Sequence, residues 1–179
     1  LNSLFALGVL AKQASAKPQL PLLPIGEGAS LSNRPADGRP PLFLLVVGET
    51  ARADHFATNG YPRPTTPELT ALHVASFRNV SSCGTNTAES LPCMFSPLDR
   101  SAHVARERDH ENLLDLAQHV GLAVLWIENQ SGCKEVCNRV PTIQASAGAP
   151  PTLCSEGECL DAALLHDLDA RLDSLDPAR

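Results

Sequence analysis

The apolar residues of this chain fall into two uninterrupted runs and several periodic ones. Leu42 to Val47 (LFLLVV) is apolar throughout and ends in Gly48-Glu49-Thr50, while Leu122 to Ile127 (LAVLWI) ends in Glu128-Asn129-Gln130. Runs without polar alternation predict strands buried on both faces, as in a parallel sheet. Ala75 to Val80 (ASFRNV) alternates and predicts another strand. From Glu111 to Val120 the apolar positions Leu113, Leu114, Leu116, Ala117 and Val120 share one helical face, which Gly121 ends. Pro67 opens a short helix predicted to about Val74. Leu160, Ala163, Leu164, Leu168 and Leu172 predict a last helix over Leu160 to Leu175, with Asp on its other face.

The order strand, helix, strand, helix, strand, with polar residues gathered after the strands, predicts an α/β fold. Chemistry in such sheets sits just beyond the carboxyl ends of the strands. Three strands are too few to be covered on both faces, so more chain is expected downstream. Ahead of this region, residues 1–16 predict a short amphipathic helix. Lys17 to Pro41 hold six of the 15 prolines and predict an extended linker. The globular part is expected over residues 42–179.

Composition narrows the classes. Hydrophobic residues at 43% and charged residues at 19% exclude both a disordered tail and a polytopic membrane chain. A net charge of −6 argues against a nucleic-acid partner, and the aromatics, 4% of the chain, form no stacking platform. No segment reads as a span or a signal peptide: the apolar start, Leu1 to Leu10, is interrupted by Asn2, Ser3 and Gly8 and meets Lys12, short of the ~18 residues required. Six cysteines nevertheless point to an oxidising compartment. That mismatch predicts a fragment whose membrane or export part lies elsewhere.

Candidate chemistry follows the predicted strands. Glu49 stands where a carboxylate reaches the rim of a sheet and a cation can sit, or where it is a loop residue paired with Arg52. Cys83-Gly-Thr-Asn-Thr-Ala-Glu-Ser-Leu-Pro-Cys93 combines a tight entry at Gly84 with the helix-capping types Thr85, Asn86 and Thr87, and a disulfide between its ends would lock the turn. A hydroxyl at a helix amino terminus faces free N–H groups that favour an oxyanion and a phosphate, provided a metal or base takes its proton. The competing reading is a capping box, Thr85 or Asn86 with Glu89. Cys133 and Cys137 (C-x3-C) and Cys154 and Cys159 (C-x4-C) lack the C-x2-C spacing of a zinc knuckle and read as structural disulfides. Lys134, between two of them, is either a phosphate contact or a surface lysine. No G-x-S-x-G, G-x4-G-K-[ST], G-x-G-x-x-G or H-E-x-x-H occurs, and the six histidines show no ligand spacing.

Taken together, VVGETARADHFATNGYPRPTTPEL (Val46 to Leu69), SCGTNTAESLPCMFS (Ser82 to Ser96), ENLLDLAQHVGLAVLWIENQSGCKEVC (Glu111 to Cys137) and LCSEGECLDAALLHDLD (Leu153 to Asp169) resemble the bacterial phosphoethanolamine transferases that modify lipid A, in the alkaline phosphatase and sulfatase superfamily. The resemblance implies an alkaline-phosphatase-like sandwich, truncated at its carboxyl end, in the periplasm and tied to the inner membrane by a domain absent from this sequence. It implies phosphatidylethanolamine as donor, lipid A as acceptor and Zn2+ as cofactor. Glu49 would be a zinc ligand, Thr87 the nucleophile and a second ligand, and Lys134 and Gln130 contacts to the phosphoethanolamine group. Cys83 with Cys93, Cys133 with Cys137 and Cys154 with Cys159 would match the family's disulfides. The family's S-D-H-G-E segment is not in this sequence, and two ligands alone do not close a zinc site. Glu89 stands where relatives carry a small or apolar residue. Alternative implied readings are transfer to core sugars or periplasmic glucans, phosphoglycerol transfer, or an inactive disulfide-stapled fragment.

Overall fold

The computed structural model describes residues 20–32 and 41–175. The helix expected over residues 1–16, and much of the proline-rich segment, lie outside the described residues. The described part of that segment is extended, and it is docked rather than free. Leu23 forms an isolated parallel bridge with His110, its N–H donating to Asp109 O at 2.9 Å and its carbonyl accepting from Glu111 N at 2.9 Å.

Among the described residues, five α-helices follow: α1 (Pro67–Ala71), α2 (Thr87–Met94), α3 (Arg100–Ala105), α4 (Leu113–His119) and α5 (Leu168–Asp173). Strands are short. β1 (Trp126–Glu128) pairs in parallel with β2 (Thr142–Gln144), Trp126 opposite Thr142, and β3 (Cys154–Ser155) pairs antiparallel with β4 (Glu158–Cys159).

Helix α4 forms where its periodicity predicts, and its ends show why. Asn112 caps it, the side chain accepting from Leu114 N at 2.8 Å, and Asp115 answers by accepting from Asn112 N at 2.7 Å, a reciprocal capping box. At the far end Gly121 takes a φ of 84°, a left-handed value open to glycine, and the bonds Gly121 N to Gln118 O and Leu122 N to Ala117 O close the last carbonyls. Asp115, placed on the polar side by pattern, is buried because Arg139 donates to both of its oxygens.

Several expected elements are absent or altered. Leu42 to Val47 is not a strand: Leu42 to Val46 are exposed, and only Val47 touches the core. Ala75 to Val80 is likewise irregular and exposed. A strand needs a neighbouring strand to meet its N–H and C=O groups, and neither run pairs in a sheet with any of the described residues. The strand expected over Leu122 to Ile127 forms only from Trp126 to Glu128, because β2 offers three residues of ladder. The last helix splits into a 3-10 turn, Asp161–Leu165, and α5, with Asp167 left-handed at a φ of 53° between them. α1 ends at Ala71, short of Val74.

The core lies between α2, the turn around Cys133–Val140 and β1. Leu91, Phe95 and Val136 form one cluster, joined by Val47, Leu114 and Trp126, with the Phe95 and Trp126 rings edge to face at 5.7 Å. Cys133, Cys137 and Val140 form a second, sharing Leu114 and Trp126. All three cysteine pairs expected from the sequence are joined: Cys83–Cys93, Cys133–Cys137 and Cys154–Cys159.

Candidate active site at the start of helix α2

Three separate stretches aim at the same side of the core. Val47, two residues before Glu49, packs against the cluster that holds Leu91, one turn after Thr87, and Val136, two residues after Lys134. Burial of these three apolar anchors therefore draws their polar neighbours towards one region, although the stretches lie far apart in sequence.

Thr87 is the first residue of α2. Asn86 caps the helix, its side chain accepting from Glu89 N at 3.0 Å, so capping falls to Asn86 and leaves the Thr87 hydroxyl available. Glu89 does not complete a capping box. Its side chain lies over Gly84 instead: a Cβ at residue 84 would sit 2.2 Å from Glu89 Oε2 and 2.7 Å from Glu89 Cβ, so only glycine admits this turn. The Cys83–Cys93 bridge ties the entry of the turn to the last turn of α2.

The half-buried Thr87 meets Glu49 directly. Thr87 Oγ1 donates to the Glu49 carboxylate, 3.1 Å from Oε1 and 3.2 Å from Oε2, and Thr50 Oγ1 donates to Oε1 at 2.7 Å. Glu49 makes no pair with Arg52, whose guanidinium grips Asp54 at 2.6 Å. That grip, with His55 beside it, holds the Asp54 carboxyl well below the usual carboxylate range.

The oxygen pair suits a small divalent cation. Its separation of 3.1 to 3.2 Å is close to the ~3.3 Å edge of a tetrahedral ligand set with bonds of ~2.0 Å. Among the described residues, the one convergent group of three metal-ligating side chains is Glu128 with Cys133 and Cys137. Those sulfurs are bonded to each other and are not thiolates. Glu128 is buried and already engaged, accepting from Gln144 Nε2 and, at 3.2 Å, from Trp126 Nε1.

Lys134 and Gln130 make no hydrogen bond to this pair. Lys134 Nζ donates to Ser131 O at 2.9 Å and to Ser131 Oγ at 3.3 Å, which caps the left-handed turn at residues 134 and 135. Gln130 lines an open polar cleft of about 430 Å3 with Asn129, Ser131, Gln144, Ser146 and the β3–β4 hairpin. The cleft lies at the carboxyl ends of β1 and β2, where a parallel pair concentrates ligand-facing groups. Two residues here were not singled out from sequence. Ser131 carried no motif of its own, whereas Thr50 adjoined a candidate ligand and gave at least that signal.

The sulfatase family model matches residues 41–178. The chain belongs to the sulfatase family. Phosphoethanolamine transferase EptA of Escherichia coli is 44% identical over 158 residues, which is 87% of this chain and 29% of that protein. The integral membrane protein lipooligosaccharide phosphoethanolamine transferase A of Neisseria meningitidis superposes with a TM-score of 0.81 at 41% identity, over 95% of this chain and 32% of that one. The soluble domain of the same Neisseria transferase gives a TM-score of 0.75 at 43% identity, over 86% and 47%. The chain thus spans about a third of the length of the full-length relatives it matches.

These likenesses establish the α/β, alkaline-phosphatase-like sulfatase fold, as a partial chain, and its place among relatives named phosphoethanolamine transferases. Family membership points to a metal cofactor. Among the described residues no helix is long and apolar enough to cross a membrane.

Proposed function

We propose that this chain is the amino-terminal part of the catalytic domain of an enzyme that moves phosphoethanolamine from phosphatidylethanolamine to lipid A. Residues 42–179 would belong to that domain, residues 17–41 to the linker before it and residues 1–16 to a juxtamembrane segment. The catalytic domain would lie in the periplasm on the inner membrane, a reading supported by the three disulfides, which suit an oxidising compartment, and by the name of the Neisseria relative, an integral membrane protein. The observation that carries the reading is the Thr87 hydroxyl held on the Glu49 carboxylate at the start of α2.

Thr87 Oγ attacks the phosphorus of phosphatidylethanolamine, and the bond from phosphorus to the diacylglycerol oxygen breaks. That oxygen leaves with the bonding pair and takes up a proton as diacylglycerol. Phosphoethanolamine, now on Thr87, passes to a lipid A phosphate oxygen in a second displacement that restores Thr87. Glu49 and Thr87 would hold zinc, which lowers the hydroxyl pKa and offsets phosphoryl charge when bound. Glu49 orients the Thr87 hydroxyl. The positive end of the α2 dipole would favour the developing negative charge, and Lys134 and Gln130 would supply a cation and an amide for the phosphoethanolamine group.

The test uses the complete protein with phosphatidylethanolamine. Mass spectrometry of the peptide spanning residues 83–93 should find phosphoethanolamine on Thr87, and lipid A from cells bearing the gene should gain the same mass. An adduct that persists in Thr87→Ala removes Thr87 from this role. An adduct on Thr87 with lipid A unchanged moves the acceptor to core sugars or periplasmic glucans.

A further inference from the structure

Thr50 stands in the left-handed region with a φ of 50°, a backbone state that β-branched residues avoid. Its hydroxyl donates to Glu49 Oε1 at 2.7 Å, closer than the Thr87 hydroxyl approaches the same carboxylate. The two facts are connected. In extended backbone, adjacent side chains point to opposite sides and residues 49 and 50 would not meet. The left-handed turn at Thr50 is what brings its hydroxyl back onto its neighbour. The local chain is tight as well, since a Cβ on Gly48 would lie 3.2 Å from Ala51 Cβ.

We propose that Thr50 is a positioning residue: its strained backbone and its hydroxyl together hold the Glu49 carboxylate turned towards Thr87, and so set the affinity of the pair for a divalent cation. The inference rests on the reading of Glu49 and Thr87 as the cation-binding pair. Glu49 is exposed and carries a flexible side chain. Without the Thr50 bond its carboxylate is free to sample rotamers that face solvent, and binding a cation then has to overcome that freedom. Thr50 is also exposed, so packing gives no reason for a threonine in a left-handed turn, whereas the bond to Glu49 does.

Glycine at this position separates the two roles, because it adopts positive φ without strain and carries no hydroxyl. In the complete protein, Zn2+ affinity would be measured by competition with a chromophoric chelator, alongside thermal melting, for Thr50→Gly, Thr50→Ser and Glu49→Gln. Thr50→Gly should melt at or above the parent temperature yet bind Zn2+ about 10-fold more weakly, the lower end of what loss of a ligand-orienting hydrogen bond costs. Thr50→Ser, which keeps the hydroxyl, should bind within about 2-fold of the parent. Parent-like Zn2+ affinity in Thr50→Gly overturns the inference while Glu49→Gln still weakens binding. If Glu49→Gln also binds like the parent, the failure lies in the cation-binding pair itself.

Discussion

The run Leu42 to Val46 and the helix Thr87–Met94 end in opposite environments, and the more apolar of the two is the one left in solvent. Phe43 is 80% exposed, whereas Phe95, directly after the helix, is 3% exposed against Trp126, Leu91 and Val136. The difference lies in where each element finds its hydrogen bonds. A helix or a cystine turn closes them within a few residues, so α2 and the Cys133–Val140 turn can form and then press their apolar sides together. A strand must borrow its partners from elsewhere in the chain. Hydrophobicity in the sequence records the demand for burial, and only pairing decides whether the demand is met.

The sharpest way to break this comparison is at the site that the buried region carries. In the complete protein, Thr87→Ala should lower transfer on the order of 10^4-fold or more, as loss of a nucleophile does, while the melting temperature of the variant stays near the parent's. Retained transfer would reduce α2 to a structural element.

Next in size are the packing substitutions. Phe95→Ala should destabilise this chain by about 3 to 5 kcal/mol in urea unfolding, and Phe43→Ala by less than about 0.5 kcal/mol. A large effect at Phe43 would show that the exposed run has found a partner after all. Cys83→Ser with Cys93→Ser opens a loop ten residues apart in sequence and should cost about 2 to 3 kcal/mol. A loss confined to the start of α2, seen by hydrogen exchange, would mark the bridge as a local staple.

A smaller effect concerns Asp115. Its burial raises the carboxyl pKa, but the Arg139 guanidinium and the Asn112 N–H outweigh burial and hold it below the ordinary carboxylate range. A depressed folded pKa means that the pair's contribution is present in full above the unfolded carboxylate range, near pH ~4, and is lost as pH falls through the folded value. Asp115→Asn should cost about 1 to 3 kcal/mol at neutral pH, with Arg139 partly exposed, and should flatten the acid limb of a stability against pH curve. An unchanged acid limb would relieve Asp115 of this role.

Helix α4, its glycine stop, the helix opened by Pro67 and the three cystines were legible because each is written in residues close in sequence. The pairing of Glu49 with Thr87 was legible only through family resemblance, since 38 positions separate them. The burial of Asp115 and the Thr50 turn were missed, one because a buried acid depends on a guanidinium 24 positions away, the other because left-handed backbone at a threonine has no sequence signature.

The sequence by itself determined most of the local units: which stretches turn helical, where glycine and proline stop or start them, which cysteines lie near enough to join, and which carboxylate and hydroxyl are placed beside apolar anchors. Tertiary structure alone decided that Val47 packs against the cluster of Leu91 and Val136, that Glu49 therefore faces Thr87, and that the strongest strand signal finds no partner strand among the described residues. The reason is physical. Helical and cystine contacts close over a few residues at little entropic cost, whereas sheet pairing and a divided site require distant segments to meet, and no local pattern specifies the partner.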